Sequence, residues 1–96
     1  MNENYIEKTF TNSVKKMGGL ALKFVSPSMA GVPDRIVLLP GGRIFFAELK
    51  RPGEKARPRQ RAVHRIFDQL GFKVYVIDSP ESSAEVLKLF DEGVIL

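Results

Sequence analysis

Two short apolar runs, DRIVLL (34–39) and RIFFAELK (43–50), are separated only by Pro40-Gly41-Gly42, and this arrangement constrains the fold more than any other feature of the chain. Runs of this length that are apolar on both faces suit central strands of a covered sheet. A three-residue link containing proline and glycine suits a hairpin, with a type I turn followed by a left-handed Gly42. That turn pairs Leu39 with Arg43, so that paired residue numbers sum to 82 and Asp34 falls opposite Glu48. A loop one residue longer or shorter would shift the pairing by one. Directly opposed residues share a face, with Cβ atoms about 5 Å apart. Glu48 and Lys50 also share a face, roughly 6.6 Å apart along their strand.

The remaining segments are predicted around this hairpin. Glu3 to Met17 reads as a helix, with Ile6, Phe10, Val14 and Met17 on one face and Gly18-Gly19 as its end. Leu20 to Val25 reads as a strand and Ser26 to Pro33 as a loop. Arg57 to Leu70 reads as a helix with Val63, Ile66, Phe67 and Leu70 inward and Gly71 as its stop. Lys73 to Ile77 is a fourth strand. Ser79 caps a last helix with Pro80 in its first position and Val86, Leu87 and Phe90 on its apolar face. The order α-β-β-β-α-β-α predicts an α/β fold, a mixed central sheet flanked by helices, in a single domain spanning residues 1–96.

Composition removes several function classes. There is no cysteine, which excludes disulfides and thiolate zinc sites and suits a reducing cytoplasm. His64 is the only histidine, so a metal would need oxygen ligands, which points to Mg²⁺ or Mn²⁺. No apolar run approaches the roughly 18 residues of a membrane helix, and the polar N-terminus does not read as a signal peptide. The net charge of +4 is concentrated. Lys50, Arg51, Lys55, Arg57, Arg59, Arg61 and Arg65 face only Glu54 within residues 50–65, giving +6 there and −2 over the rest. So dense a run of cations favours a phosphate-bearing partner over a merely solvated face.

Asp34, Glu48 and Lys50 thus fall on one patch of sheet. Two carboxylates so close repel, and burying them without compensation is costly. A divalent cation removes the conflict, polarises a phosphate and lowers the pKa of a bound water. Lys50 can orient that water or steady charge developing on phosphorus. A surface salt bridge between Lys50 and either carboxylate is the plainer reading of each residue alone. The combination of Pro-Asp opening one apolar strand and Glu-x-Lys closing the next is more specific. Glu7 lies three residues before Phe10 and seven before Val14, so it leans toward the apolar face of its helix, although a carboxylate there also suits the helix dipole. Gln60 lies on the inward face of the next helix, where a water, Lys50 or a core carbonyl could pair with it. Lys23 reads as a solvent-exposed strand residue, and the lone His64 as a surface or packing residue.

The stretch GVPDRIVLLPGGRIFFAELK (31–50) resembles the core of the PD-(D/E)xK nuclease superfamily, and more narrowly the VRR-NUC family in its stand-alone bacterial and viral form. The resemblance covers nearly the whole chain and implies a restriction-endonuclease-like sheet. It implies that Glu7, Asp34, Glu48 and the Leu49 carbonyl ligate Mg²⁺ or Mn²⁺, that Lys50 is the catalytic lysine, and that Gln60 supports the site. Arg35 stands where many relatives carry an apolar residue, a departure that could alter local phosphate contacts. The implied activity is a metal-dependent DNA endonuclease, structure-specific and resolvase-like on four-way junctions, acting as a homodimer. Arg51, Lys55, Arg57, Arg59, Arg61 and Arg65 would hold the DNA backbone. An apolar tail, Gly93 to Leu96, is compatible with a dimer or with packing inside one chain. The rival expectations are a non-catalytic nucleic-acid-binding module and a nuclease-associated interaction protein.

Overall fold

The computed structural model describes residues 2–91; the tail from Gly93 lies outside them. Helix α1 (Glu3–Lys16) starts at Asn2, whose side chain accepts the Tyr5 N–H at 2.9 Å. It ends in a Schellman turn, with Gly18 N–H on the Lys15 carbonyl and Gly19 N–H on that of Val14. Gly18 takes the left-handed φ of 83° that this turn requires. Gly19 is needed for a different reason: a Cβ there would lie 2.6 Å from the Leu38 carbonyl oxygen. The chain then enters β1 (Leu20–Lys23), β2 (Arg35–Leu39) and β3 (Arg43–Leu49). Helix α2 (Pro58–Gln69) closes with a second Schellman turn at Gly71 and leads to β4 (Val74–Ile77). Ser79 accepts the Ser82 N–H and caps α3 (Pro80–Asp91).

The strands form one mixed sheet in the order β1-β2-β3-β4, antiparallel except for the parallel β3–β4 pair. Helix α2 supplies the crossover that a parallel pair requires. Leu39 pairs with Arg43, as the hairpin predicts, and the register runs back to Arg35 opposite Ala47. The turn itself differs from expectation. Gly41 and Gly42 both have positive φ, 84° and 74°. The link thus holds two successive left-handed residues where one was expected, a conformation that glycine permits.

Alternation along the strands sends side chains to two layers. On one face Val37, Leu39, Phe45, Ala47, Leu49 and Ile77 meet Ile6, Phe10 and Val14 of α1 and Val86, Leu87 and Phe90 of α3. Phe45 is sealed there, stacked on Phe90 at 4.4 Å and edge-on to Phe10 and Tyr75. On the other face Phe24, Phe46 and Phe67 pack together beneath α2.

This second layer is incomplete. Ile66 and Leu70, expected inward, are 43% and 70% exposed, because the single helix α2 roofs only part of its sheet face. The cross-strand rows Leu20–Leu38–Ile44 and Leu22–Ile36–Phe46 lie on that face, with Leu20, Leu22 and Ile44 exposed.

Candidate active site

The register places Asp34, one residue before the Arg35–Ala47 pair, level with Glu48. Asp34 is pinned by the Leu49 N–H, which donates to its Oδ2 at 2.9 Å, while the residue as a whole stays exposed. Glu48 is the reverse case, at 1% exposure the most deeply buried charged residue of the core. Its Oε2 accepts from Gln60 Nε2 at 2.9 Å and lies 3.2 Å from Lys50 Nζ. Its Oε1 is sealed from solvent and has no hydrogen-bond partner among the described residues. Burial raises the Glu48 pKa above the usual carboxylate value, and the nearby Asp34 charge raises it further, against the lowering effect of Lys50. Asp34, Glu48, Leu49, Lys50 and Gln60 line one open cavity of about 490 Å³.

Gln60 owes its orientation to its place in α2. It is the third residue of the helix, and its Oε1 accepts the N–H of Arg57, the residue before the first turn, at 2.8 Å. This is the glutamine half of a capping box. With its oxygen tied to the helix start, its amide nitrogen points at Glu48.

Other predicted residues are placed elsewhere. Glu7 pairs with Arg35 rather than with Asp34 and Glu48. The pair joins α1 to the sheet face opposite the one that carries Glu48. Among the described residues no three carboxylate or imidazole groups converge as a metal cluster, but Glu7 lines a hollow of about 250 Å³ together with Asp34 and Leu49. Glu3, one helical turn earlier and passed over in the sequence, lines the cavity instead; its i, i+4 relation to Glu7 was the available signal. Arg35 lines the hollow that Glu7 shares with Asp34. It is buried, and its guanidinium also donates to the Ala21 carbonyl at 3.0 Å. Lys23 is exposed at the rim of a hollow shared with Glu7 and Asp34.

The basic segment divides between two cavities. Arg51 and Arg57 edge the one holding Glu48. Lys55, Arg61 and Arg65 edge a second, of about 510 Å³, with Glu54 lining both. The Arg59 stem packs near Gly31. His64, read as a surface or packing residue, lies with Nε2 3.8 Å from Glu48 Oε1. Burial lowers its pKa and favours the neutral imidazole. Its position one turn after Gln60 could have placed it on the Glu48 side. A larger hollow of about 740 Å³ lies by the hairpin turn. Among the described residues Arg43 and Lys73 are its only ionisable side chains, which gives no acid–base pair.

Comparison with known proteins bears on this geometry. The chain is 49% identical over 84 residues to "Putative nuclease p44" of Acyrthosiphon pisum secondary endosymbiont phage 1, spanning 88% of this chain and 90% of that protein. A solved structure described as a VRR_NUC domain superposes with a TM-score of 0.83 at 28% identity, covering 97% of this chain and 99% of the other. The chain belongs to the VRR-NUC family of nucleases. No family model matches it. Within this family assignment the Asp34–Glu48–Lys50 cluster sits where the fold brings two adjacent antiparallel strand ends together.

Proposed function

We propose that this VRR-NUC nuclease is a metal-dependent endonuclease that cuts branched DNA, four-way junctions among them, in a reducing cytoplasm. The observation that carries the reading is the buried Glu48, with one oxygen lacking a partner and with Asp34 near enough to oppose its ionisation. A structural salt bridge would satisfy its carboxylate; this one is left short of positive charge. The donors available are the Asp34 and Glu48 carboxylates and the Leu49 carbonyl, all hard oxygen atoms suited to Mg²⁺ or Mn²⁺. These residues fit a divalent ion, and Glu7, paired with Arg35 in the hollow it shares with Asp34 and Leu49, would be the further carboxylate of the set. A divalent cation held there supplies the Lewis-acid chemistry of phosphodiester hydrolysis.

The chain's own groups do the rest. Lys50, only 8% exposed, presents an ammonium beside Glu48, where it donates to the attacking water or to a phosphate oxygen. Gln60 holds the Glu48 carboxylate in place. Arg51 and Arg57 flank the cavity, and Lys55, Arg61 and Arg65 extend the cationic track past Glu54. Contacts of this kind follow the backbone and carry no direct sequence information.

A resolvase needs two active sites in fixed relation. The unroofed rows around Leu22, Leu38 and Ile44 lie on the same sheet face as Glu48, about 13 Å along the strand from Ile44. These rows are wholly apolar and can therefore pair with themselves across a two-fold axis. A second copy is the proposed occupant, and Ile44→Glu should yield a monomer by sedimentation.

The experiment is a panel of junction, flap, splayed-arm, duplex and single-stranded DNA, incubated with Mn²⁺ or EDTA. Wild type should cut branched substrates only with Mn²⁺, and Lys50→Ala should bind but not cut. Cleavage in EDTA, or retained by Lys50→Ala, contradicts the reading.

A further inference from the structure

His64 has no part in the chemistry above, yet its Nε2 faces the Glu48 oxygen on which that chemistry rests. Oε1 and Nε2 are both buried, both lack a partner, and lie 3.8 Å apart. Two unpaired polar atoms of opposite hydrogen-bonding sense rarely face one another in a protein interior without a purpose. An imidazole with its proton on Nε2 presents a donor there, and a carboxylate oxygen only accepts. We propose that His64 is a positioning residue for Glu48: its Nε2–H donates to Oε1, completing a set of donors that fixes the plane of the carboxylate.

The required movement is small. Contraction from 3.8 Å to an ordinary donor–acceptor distance of about 2.9 Å is within reach of side-chain rotation. Oε2 is already held by Gln60 and Lys50. Gln60 and His64 stand one turn apart on α2, so a single rigid helix delivers one donor to each carboxylate oxygen. Each such oxygen accepts two hydrogen bonds or ligands, so a donor on Oε1 still leaves a lone pair free. His64 acts through Glu48 and touches neither cation nor substrate. Partners of this kind set the orientation and basicity of a metal-binding carboxylate, and their loss typically costs about 10–100-fold in metal affinity or activity.

This inference rests on the reading of Glu48 as a cation ligand, and the test separates the two. His64→Leu and His64→Gln are compared with wild type by thermal melting in EDTA, by Mn²⁺ affinity from electron paramagnetic resonance without DNA, and by turnover at saturating DNA. Leu removes the donor and also the unpaired nitrogen. The melting temperature of His64→Leu should therefore hold or rise while Mn²⁺ affinity or turnover falls about tenfold or more. Gln, with a donor of similar reach, should recover a substantial part of the loss. Wild-type Mn²⁺ affinity retained by His64→Leu overturns the role of His64 if turnover is also retained. So does a loss that merely follows a drop in melting temperature, or a Gln variant as impaired as Leu. A wild-type protein that binds no Mn²⁺ overturns the reading of the site itself, and this inference with it.

Discussion

Glu48→Gln should make the metal-free protein more stable while abolishing its chemistry. Glu48 is 1% exposed, its Oε1 has no partner, and Asp34 opposes its charge. A glutamine keeps the volume and an oxygen for the Gln60 and Lys50 donors. Its amide nitrogen can donate to His64 Nε2 once the neutral imidazole carries its proton on Nδ1 instead, which relieves two buried unsatisfied atoms at once. Each such atom costs about 1–3 kcal/mol. Against that stands the lost counter-charge for Lys50, so a net gain of about 1–2 kcal/mol is expected. For a domain of this size each kcal/mol shifts the melting temperature by about 4–8 °C. The effect has a pH signature. A carboxyl whose pKa is higher folded than unfolded binds its proton more tightly in the native state. Its stabilising contribution is complete below the unfolded value and is lost as pH rises through the folded one. The gap between wild type and Glu48→Gln should therefore be widest at pH 8 in EDTA and should close toward pH 4. Calorimetric melts across that range read it directly, and added Mn²⁺ should raise the wild type but not the variant. A variant less stable than wild type at pH 8, or a gap that does not vary with pH, refutes the reasoning.

Three further outcomes are expected. Phe45→Ala, which empties a sealed site between Phe10, Tyr75 and Phe90, should cost about 3–5 kcal/mol in urea unfolding, enough to unfold much of so small a domain. Gly19→Ala should destabilise by about 1–3 kcal/mol, as overpacking does, because its Cβ would meet the Leu38 carbonyl oxygen as well as the buried Leu39 side chain; the same melts check it. Arg35→Ala should lower stability yet leave the salt dependence of DNA binding unchanged, whereas Arg57→Ala should reduce that slope by about one.

Much of the site was legible because local rules decide it. The Pro40-Gly41-Gly42 link fixes the register whichever turn it adopts, since either one pairs Leu39 with Arg43. The strand period then puts Asp34, Glu48 and Lys50 together. Helix ends at Gly18 and Gly71 follow from the left-handed conformation that closes a Schellman turn. What was not legible depends on how layers dock. Glu7 could be assigned to the inward face of α1, but not to its partner Arg35, which lies 28 residues away in sequence on the opposite side of the sheet from Glu48. His64 could be placed on the Gln60 face of α2, but its approach to Glu48 depends on where α2 settles. The exposure of Ile66 and Leu70 likewise reflects a roof with one helix, a property of the assembled sheet that no periodicity within α2 encodes.

The central claim is that Asp34 and Glu48 together hold a divalent cation. Anomalous diffraction from crystals grown with Mn²⁺ tests it most directly. The account predicts a peak at the Asp34 and Glu48 carboxylates, absent in Glu48→Gln. An ion bound by other residues, or no ion at millimolar Mn²⁺ with Glu48 still paired only to Lys50 and Gln60, would contradict it.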